Sequence, residues 1–251
     1  MERTEVRRRL NWQTGVVEGL VTETARTRSI VLDVPGWSGH RAGQHVDIRL
    51  TADDGYQAQR SYSIASGPED DRLVLTVERL DDGEVSPFLV DELRTGDELE
   101  LRGPVGGYFV WEAARGGPLL LVAGGSGVAP FRAMIRHHRA SGSTVPVRLL
   151  YSARSLGDVI YRDELGRITG SGEIDVRFTL TREQPEGWRG YRRRIDRELL
   201  ADVAWPPTER PLVYVCGPTD FVETAAAALV GLGHEPDRIR LERFGGTGGS
   251  A

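Results

Sequence analysis

The strongest constraint on the fold of this chain is a change of hydrophobic period partway along it. Up to about residue 110 the apolar residues come in short β-type runs: Val16 to Val21, Ser29 to Val34, His45 to Leu50 and Leu73 to Val77. Turn residues separate them at Pro35-Gly36, Asp53-Asp54-Gly55, Gly67-Pro68 and Asp81-Asp82-Gly83. Strands at this spacing predict a small antiparallel barrel or sandwich. One helix is expected within it, from Ser86-Pro87 to Leu93, with Ser86 as N-cap and Pro87 in the first helical position. After Gly116-Gly117-Pro118 the texture changes. Leu119 to Ala123 is a continuous apolar run, as in a strand covered on both faces. A glycine loop and a helix from about Pro130 to His138 follow. Strand-like and helix-like segments then alternate at 145–151, 159–165, 174–180, 195–203, 212–215 and 221–232. That alternation predicts a parallel sheet with helices on both faces. The expected fold is therefore two domains, β followed by α/β: an antiparallel β-barrel over 1–110 and a parallel-sheet domain over 118–245, joined by residues 111–117.

Composition removes several function classes. All 32 basic residues among the 251 are arginine. No P-loop lysine and no Schiff-base lysine is available. The single cysteine, Cys216, excludes a disulfide framework, a CxxC dithiol and a four-thiolate iron–sulfur site. The five histidines form no HExxH, and the adjacent His137 and His138 point to different helix faces, so no zinc site is expected. A net charge of −5 argues against a general nucleic-acid binder. No apolar run approaches the ~20 residues of a membrane span. Arg7-Arg8-Arg9 has no signal-peptide core behind it. A cytoplasmic monomer without a membrane or nucleic-acid partner is the expectation. The charge is split, about −7 over residues 1–110 and +2 over 111–251, as suits a second half that holds a polyanion.

Ala123-Gly124-Gly125-Ser126-Gly127-Val128-Ala129-Pro130 joins the first parallel strand to a helix. Glycines let the backbone approach a phosphate, and a helix N-terminus offers free N–H groups. Pro130 stands where a GxGxxG loop has its third glycine, so by itself the segment is also compatible with a plain strand-to-helix turn. After the next strand, where an acid would bond the ribose 2′-hydroxyl of NAD, the chain reads Ser152-Ala153-Arg154-Ser155. Thr181-Arg182 follows the third strand, and Arg192-Arg193-Arg194 comes soon after. Guanidiniums gathered at one end of a sheet suit a 2′-phosphate, although each alone is equally a solvated charge. In the first half, Arg60-Ser61-Tyr62-Ser63 offers a cation, an aromatic platform and a hydroxyl, groups a flavin needs, although taken alone it reads first as an ordinary strand tetrapeptide. Gly83-Glu84-Val85-Ser86 opens the short helix, whose N–H groups could face a pyrophosphate.

Taken in order, Arg60 to Ser63, Gly83 to Ser86, Gly103-Pro104-Val105-Gly106-Gly107-Tyr108-Phe109, Gly124 to Pro130, Cys216-Gly217-Pro218 and Glu242-Arg243-Phe244 resemble the ferredoxin–NADP reductase superfamily. The resemblance runs from about residue 12 to 245. It implies a flavin-binding barrel followed by a five-stranded NAD(P)H-binding domain. It also implies roles. Arg60, with Ser61 beside it, contacts the FAD phosphates; Tyr62 packs on the isoalloxazine; and the Ser63 hydroxyl lies near N5. Val77, Glu78 and Arg79 pass the ribityl and adenosine part, and Glu84, Val85 and Ser86 bind the pyrophosphate. Gly125, Ser126 and Gly127 line the nicotinamide nucleotide, while Cys216, Gly217 and Pro218 flank the nicotinamide. Arg154, Arg182 and Arg194 bind a 2′-phosphate. Ser63, Cys216 and Glu242 are the candidate catalytic residues. For Cys216 a buried packing role, and for Glu242 a surface strand charge, are the plain alternatives.

Two departures from the family matter. The chain runs past Phe244 as Gly245 to Ala251, leaving Phe244 to cover the flavin. It also shows no fused iron–sulfur, globin or oxygenase module, so its acceptor is expected to be a separate molecule. The implied function is an FAD-containing reductase that passes hydride from NADPH, rather than NADH, to FAD, and then electrons to ferredoxin, flavodoxin or another carrier. A reductase of free flavin or ferric chelates, and a subunit active only within a complex, remain open.

Overall fold

The computed structural model describes residues 10–244; the Arg7-Arg8-Arg9 segment and the glycine-rich end after Phe244 lie outside them. Six strands form the first sheet: β1 (Gln13–Thr24), β2 (Thr27–Asp33), β3 (His45–Thr51), β4 (Gln57–Ser63), β5 (Leu73–Glu78) and β6 (Glu98–Val105). They lie antiparallel in the order β4-β3-β6-β1-β2-β5. The two edges meet where Ile64 bridges Leu75 and the Ala65 N–H donates to the Val74 carbonyl at 2.8 Å, so the sheet curls into a barrel. Alternate residues point inward, as a period of two requires. Ile30, Leu32, Val46, Ile48, Leu75, Val77, Leu99 and Leu101 form the core with Val85, Leu89 and Leu93. β6 is not among the expected strands, because its apolar residues, Leu99 and Leu101, alternate with Glu98, Glu100 and Arg102.

The expected helix after Ser86 is a short π-type helical turn over Phe88–Glu92. Ser86 does not cap it. Its hydroxyl accepts the Leu80 N–H at 3.0 Å and ties the preceding loop instead.

The second sheet is wholly parallel. β7 (Leu119–Gly124), β8 (Val147–Ala153), β9 (Asp175–Leu180), β10 (Leu212–Pro218) and β11 (Ile239–Phe244) lie in the order β11-β10-β7-β8-β9. Its helices are α1 (Ala129–Ala140), α2 (Arg162–Ser171), α3 (Arg197–Val203) and α4 (Thr219–Gly231). The continuous apolar run of β7 serves two cores at once. Leu119, Leu121 and Ala123 pack with Phe131, Met134 and Ile135 of α1 and Leu165 and Ile168 of α2. Leu120 and Val122 pack on the other face with Leu199 and Val203 of α3 and Val222 and Leu229 of α4.

Trp111, in the joining stretch, is fully buried in the first of these cores. Chain direction across the sheet reverses between β7 and β10, which leaves a crevice at their C-terminal ends, the usual ligand position in such sheets. Among the described residues no helix is long and apolar enough to cross a membrane.

Candidate active site

The crevice is shaped by close backbone approach. Gly125 has φ +56° and turns the chain from β7 into the helical turn Gly125–Val128 that precedes α1. A Cβ on Gly127 would lie 2.2 Å from the Cys216 carbonyl oxygen, so only glycine lets this turn rest on β10. Parallel pairing sets Cys216 beside Ala123 on one side and Glu242 on the other. The glycine loop, the Cys216-Gly217-Pro218 strand end and the end of β11 thus lie side by side.

The barrel reaches this place through β4 and β5. Ser63, the last residue of β4, donates from its Oγ to Glu242 Oε1 at 2.9 Å. Burial pushes the Glu242 carboxyl above the ordinary carboxylate range, against a downward pull from the Ser63 bond. Burial also pushes the Cys216 thiol up, and the neighbouring Glu242 charge adds to it. That thiol stays protonated, so its contribution is packing rather than nucleophilic chemistry. Glu78 of β5 faces the glycine loop, its Oε2 3.7 Å from where a Cβ of Gly125 would be.

Two cavities meet at this junction. One, of about 210 Å³, is bordered by Arg60, Ser61, Tyr62 and Ser63 of β4, by the loop Gly83 to Ser86, and by Ser126 opposite. Tyr62 is half-buried there, and burial pushes its phenol up. The other, of about 200 Å³, is bordered by Gly124, Gly125, Arg154, Pro218 and Phe221. Glu78 and Phe244 border both. The first cavity has an aromatic side chain, a hydroxyl and a cation along one strand, and the loop Gly83 to Ser86 at one end. These groups fit a flavin nucleotide. The second, at a strand-end crevice beside a glycine turn, fits a nicotinamide nucleotide.

Several expected site residues, some of them bordering the first cavity, also have packing or polar partners within the barrel. Val77 and Val85 are buried in the barrel core. Arg79 is ion-paired with Asp81 at 2.5 Å and Asp91 at 2.7 Å. The Ser61 hydroxyl donates to Asp47 at 2.7 Å, and Asp47 also holds Arg102 at 2.7 Å. Arg60 meets Glu84 at 2.5 Å, and the Tyr56 hydroxyl donates to the same carboxylate at 2.6 Å.

Arg182 and Arg194 do not border the second cavity, whereas Arg154 does. The Arg182 N–H donates to the Arg154 carbonyl at 2.9 Å, which brings the two strand ends together. None of these three arginines has a carboxylate partner among the described residues.

Two features escape sequence reasoning. The hairpin Thr24 to Thr27 of the barrel borders the nucleotide cavity, an apposition of distant segments with no local signal. Asp158 borders it as well, so an acid does stand near the end of β8. Its carboxylate accepts the Ser155 N–H at 3.0 Å and the Ser155 hydroxyl at 2.6 Å, the capping-box pattern that Ser155-x-x-Asp158 spells.

Two family models match the chain: an oxidoreductase FAD-binding domain over residues 20–110 and an oxidoreductase NAD-binding domain over 121–227. Ferredoxin–NADP reductase B of Sorangium cellulosum is 35% identical over 209 residues, covering 81% of this chain and 84% of that protein. The glycine betaine monooxygenase reductase subunit of Chromohalobacter salexigens is 32% identical over 231 residues, covering 90% of this chain. The chain spans only 62% of the length of that relative. The crystal structure of the flavohem-like FAD/NAD-binding domain of a Vibrio cholerae nitric oxide dioxygenase superposes with a TM-score of 0.83. It shares 25% identity and covers 93% of this chain and 99% of that one. With a barrel that matches the FAD-binding model, a parallel sheet that matches the NAD-binding model, and a reductase relative alike over most of both lengths, the chain belongs to the ferredoxin–NADP reductase superfamily of flavin- and nicotinamide-dependent oxidoreductases.

Proposed function

We propose that this protein is an FAD-containing reductase that draws electrons from NADPH and delivers them to a separate carrier: a ferredoxin, a flavodoxin or an oxygenase component. The observation that carries this reading is the shared wall of the two cavities, Glu78 and Phe244, with the Ser63–Glu242 bond beside it. When bound, the flavin supplies the exchange between a two-electron donor and one-electron acceptors. The chain's own residues bind and orient. Arg60 offers charge to the phosphates, and Tyr62 offers a flat apolar surface. Ser63 holds its hydroxyl in a fixed direction because Glu242 accepts from it. Phe244, on the border of both cavities, would shield the flavin side from water. Gly125 brings the glycine-turn backbone to the nucleotide, Ser126 faces the flavin side, and Pro218 walls the nicotinamide side.

NADPH is preferred in this reading because the Arg154 guanidinium borders the cavity without a carboxylate partner and Arg182 adjoins it. Asp158 has one oxygen, Oδ2, engaged by Ser155, and its other oxygen is the competing acceptor that a ribose 2′-hydroxyl would use. The division of labour falls at residues 110 and 118. An oxygenase component joins the acceptor classes because the Chromohalobacter relative is a monooxygenase reductase subunit.

The test is direct. The purified chain is expected to be yellow, to release FAD on denaturation, and to oxidise NADPH with ferricyanide. A panel of ferredoxins, flavodoxins and oxygenase components then identifies the acceptor. A colourless chain that takes up no FAD and oxidises no NADPH overturns the reading.

A further inference from the structure

Tyr161 lies between β8 and α2 and has φ +58°, a left-handed conformation that a bulky side chain adopts only when its surroundings impose it. Those surroundings come from its own domain's core and from the barrel together. The Tyr161 hydroxyl, buried in the interface, donates to Thr76 Oγ1 on the outward face of β5. Thr76 and Ser29 Oγ of β2 are 2.9 Å apart. Ser29 gives its only proton to Glu23 Oε1 at 2.6 Å, so Thr76 must donate to Ser29. The other Glu23 oxygen accepts the backbone N–H of Tyr161 itself at 3.2 Å. The bonds therefore close a ring in which both arms end on the Glu23 carboxylate: one donates from the Tyr161 hydroxyl through Thr76 and Ser29, and the other is the Tyr161 backbone N–H itself. Ser29, Thr76 and Tyr161 are all buried. On its other side the Tyr161 ring lies 4.8 Å beneath the Arg132 guanidinium, which is held by Glu164 at 2.8 Å.

We propose that Tyr161 is a positioning residue whose ring of hydrogen bonds with Thr76, Ser29 and Glu23 sets the angle between the barrel and the parallel sheet, and so the register of the two cofactor cavities. The placement supports it: Thr76 borders the flavin cavity, and Ile160, next to Tyr161, borders the nucleotide cavity. A closed polar ring, buried at all its members but the half-buried Glu23, holds one geometry where apolar packing tolerates several. The significance of the register rests on the reductase reading above, but the existence of the latch does not.

The test separates the two. Spin labels on Asp53→Cys and Arg167→Cys, both exposed sites, report the distance between the domains in the FAD-loaded protein. Tyr161→Phe removes the hydroxyl and leaves no buried donor without a partner, so each domain keeps its fold by circular dichroism. The expected result is an inter-domain distance distribution about twice as broad. NADPH-dependent flavin reduction is expected to slow about tenfold or more at unchanged FAD content and KM for NADPH. Thr76→Val is expected to reproduce both effects, and Thr76→Ser, which keeps the hydroxyl, to restore them. A distance distribution in Tyr161→Phe and Thr76→Val as narrow as in the parent overturns the latch. If the parent reduces no flavin with NADPH, the reductase reading fails, while the distance measurement still decides the latch.

Discussion

The Ser63 hydroxyl donates to Glu242 Oε1 at 2.9 Å, joining two residues 179 positions apart and two different sheets. The direction of this bond depends on Glu242. An ionised carboxylate takes the Ser63 proton and leaves Ser63 Oγ only lone pairs to offer the flavin cavity. A protonated carboxyl can donate to Ser63 and free the serine proton for that cavity. Glu242 is held above the ordinary carboxylate range chiefly by burial.

Glu242 therefore gives a pH dependence of known sign. Its folded pKa lies above the unfolded value, so in the window between the two the folded state binds more protons and stability falls as pH rises. The cost of the buried charge is fully present above the folded pKa and is relieved below the unfolded value near 4.5. Glu242→Gln is expected to flatten this part of the stability–pH curve. Denaturant unfolding across pH 4 to 8 checks it, and an unchanged slope in the variant refutes the assignment.

Ser63→Ala is expected to slow NADPH-dependent flavin reduction ~10–100-fold, the range for losing one positioned polar group at a reacting centre. FAD content is expected to stay at the parent level. Stopped-flow absorbance measures both, and an unaltered rate reduces Ser63 to a plain strand residue.

Arg60→Ala is expected to weaken FAD binding about tenfold, at the low end of the ~1.5–3 kcal/mol for a charged hydrogen bond, because Arg60 is half-exposed and already shared with Glu84. Glu84→Gln removes a like charge from the phosphate site and is expected to tighten FAD. Fluorescence titration of the apoprotein reads both. Full FAD occupancy of Arg60→Ala in dilute solution sinks the assignment.

For coenzyme choice, the parent is expected to favour NADPH by roughly 10- to 1000-fold in kcat/KM, about 1.4–4 kcal/mol. The preference should shrink with added salt. Arg154→Ala combined with Arg182→Ala is expected to erase most of it by raising the KM for NADPH, with NADH turnover nearly constant. Equal use of both coenzymes by the parent at low salt ends this reading.

Gly127→Ala places a methyl 2.2 Å from the Cys216 carbonyl. The turn must move off β10, at a cost of ~1–3 kcal/mol typical of overpacking. A lower Tm and weaker NADPH binding are expected together. An alanine variant that keeps parental values shows that the turn is looser than its contacts imply.

The sequence by itself determined the two-part architecture, because strand and helix periods are local: alternation in the first half and βαβ spacing in the second need no knowledge of distant residues. It also determined the residue types of the site, since Arg60, Tyr62, Ser63 and Cys216-Gly217-Pro218 lie in contiguous motifs. Which of those side chains face a cavity was decided only by the tertiary structure. Val77 turns inward to the barrel core, Arg79 is ion-paired with Asp81 and Asp91, and Arg182 does not border the nucleotide cavity. The Ser63–Glu242 bond, the hairpin Thr24 to Thr27 over the nucleotide cavity and the Tyr161–Thr76 contact join segments remote in sequence. Their geometry depends on how the barrel docks on the parallel sheet. That docking is a sum of many weak contacts across two surfaces, and no local pattern of residues encodes such a sum.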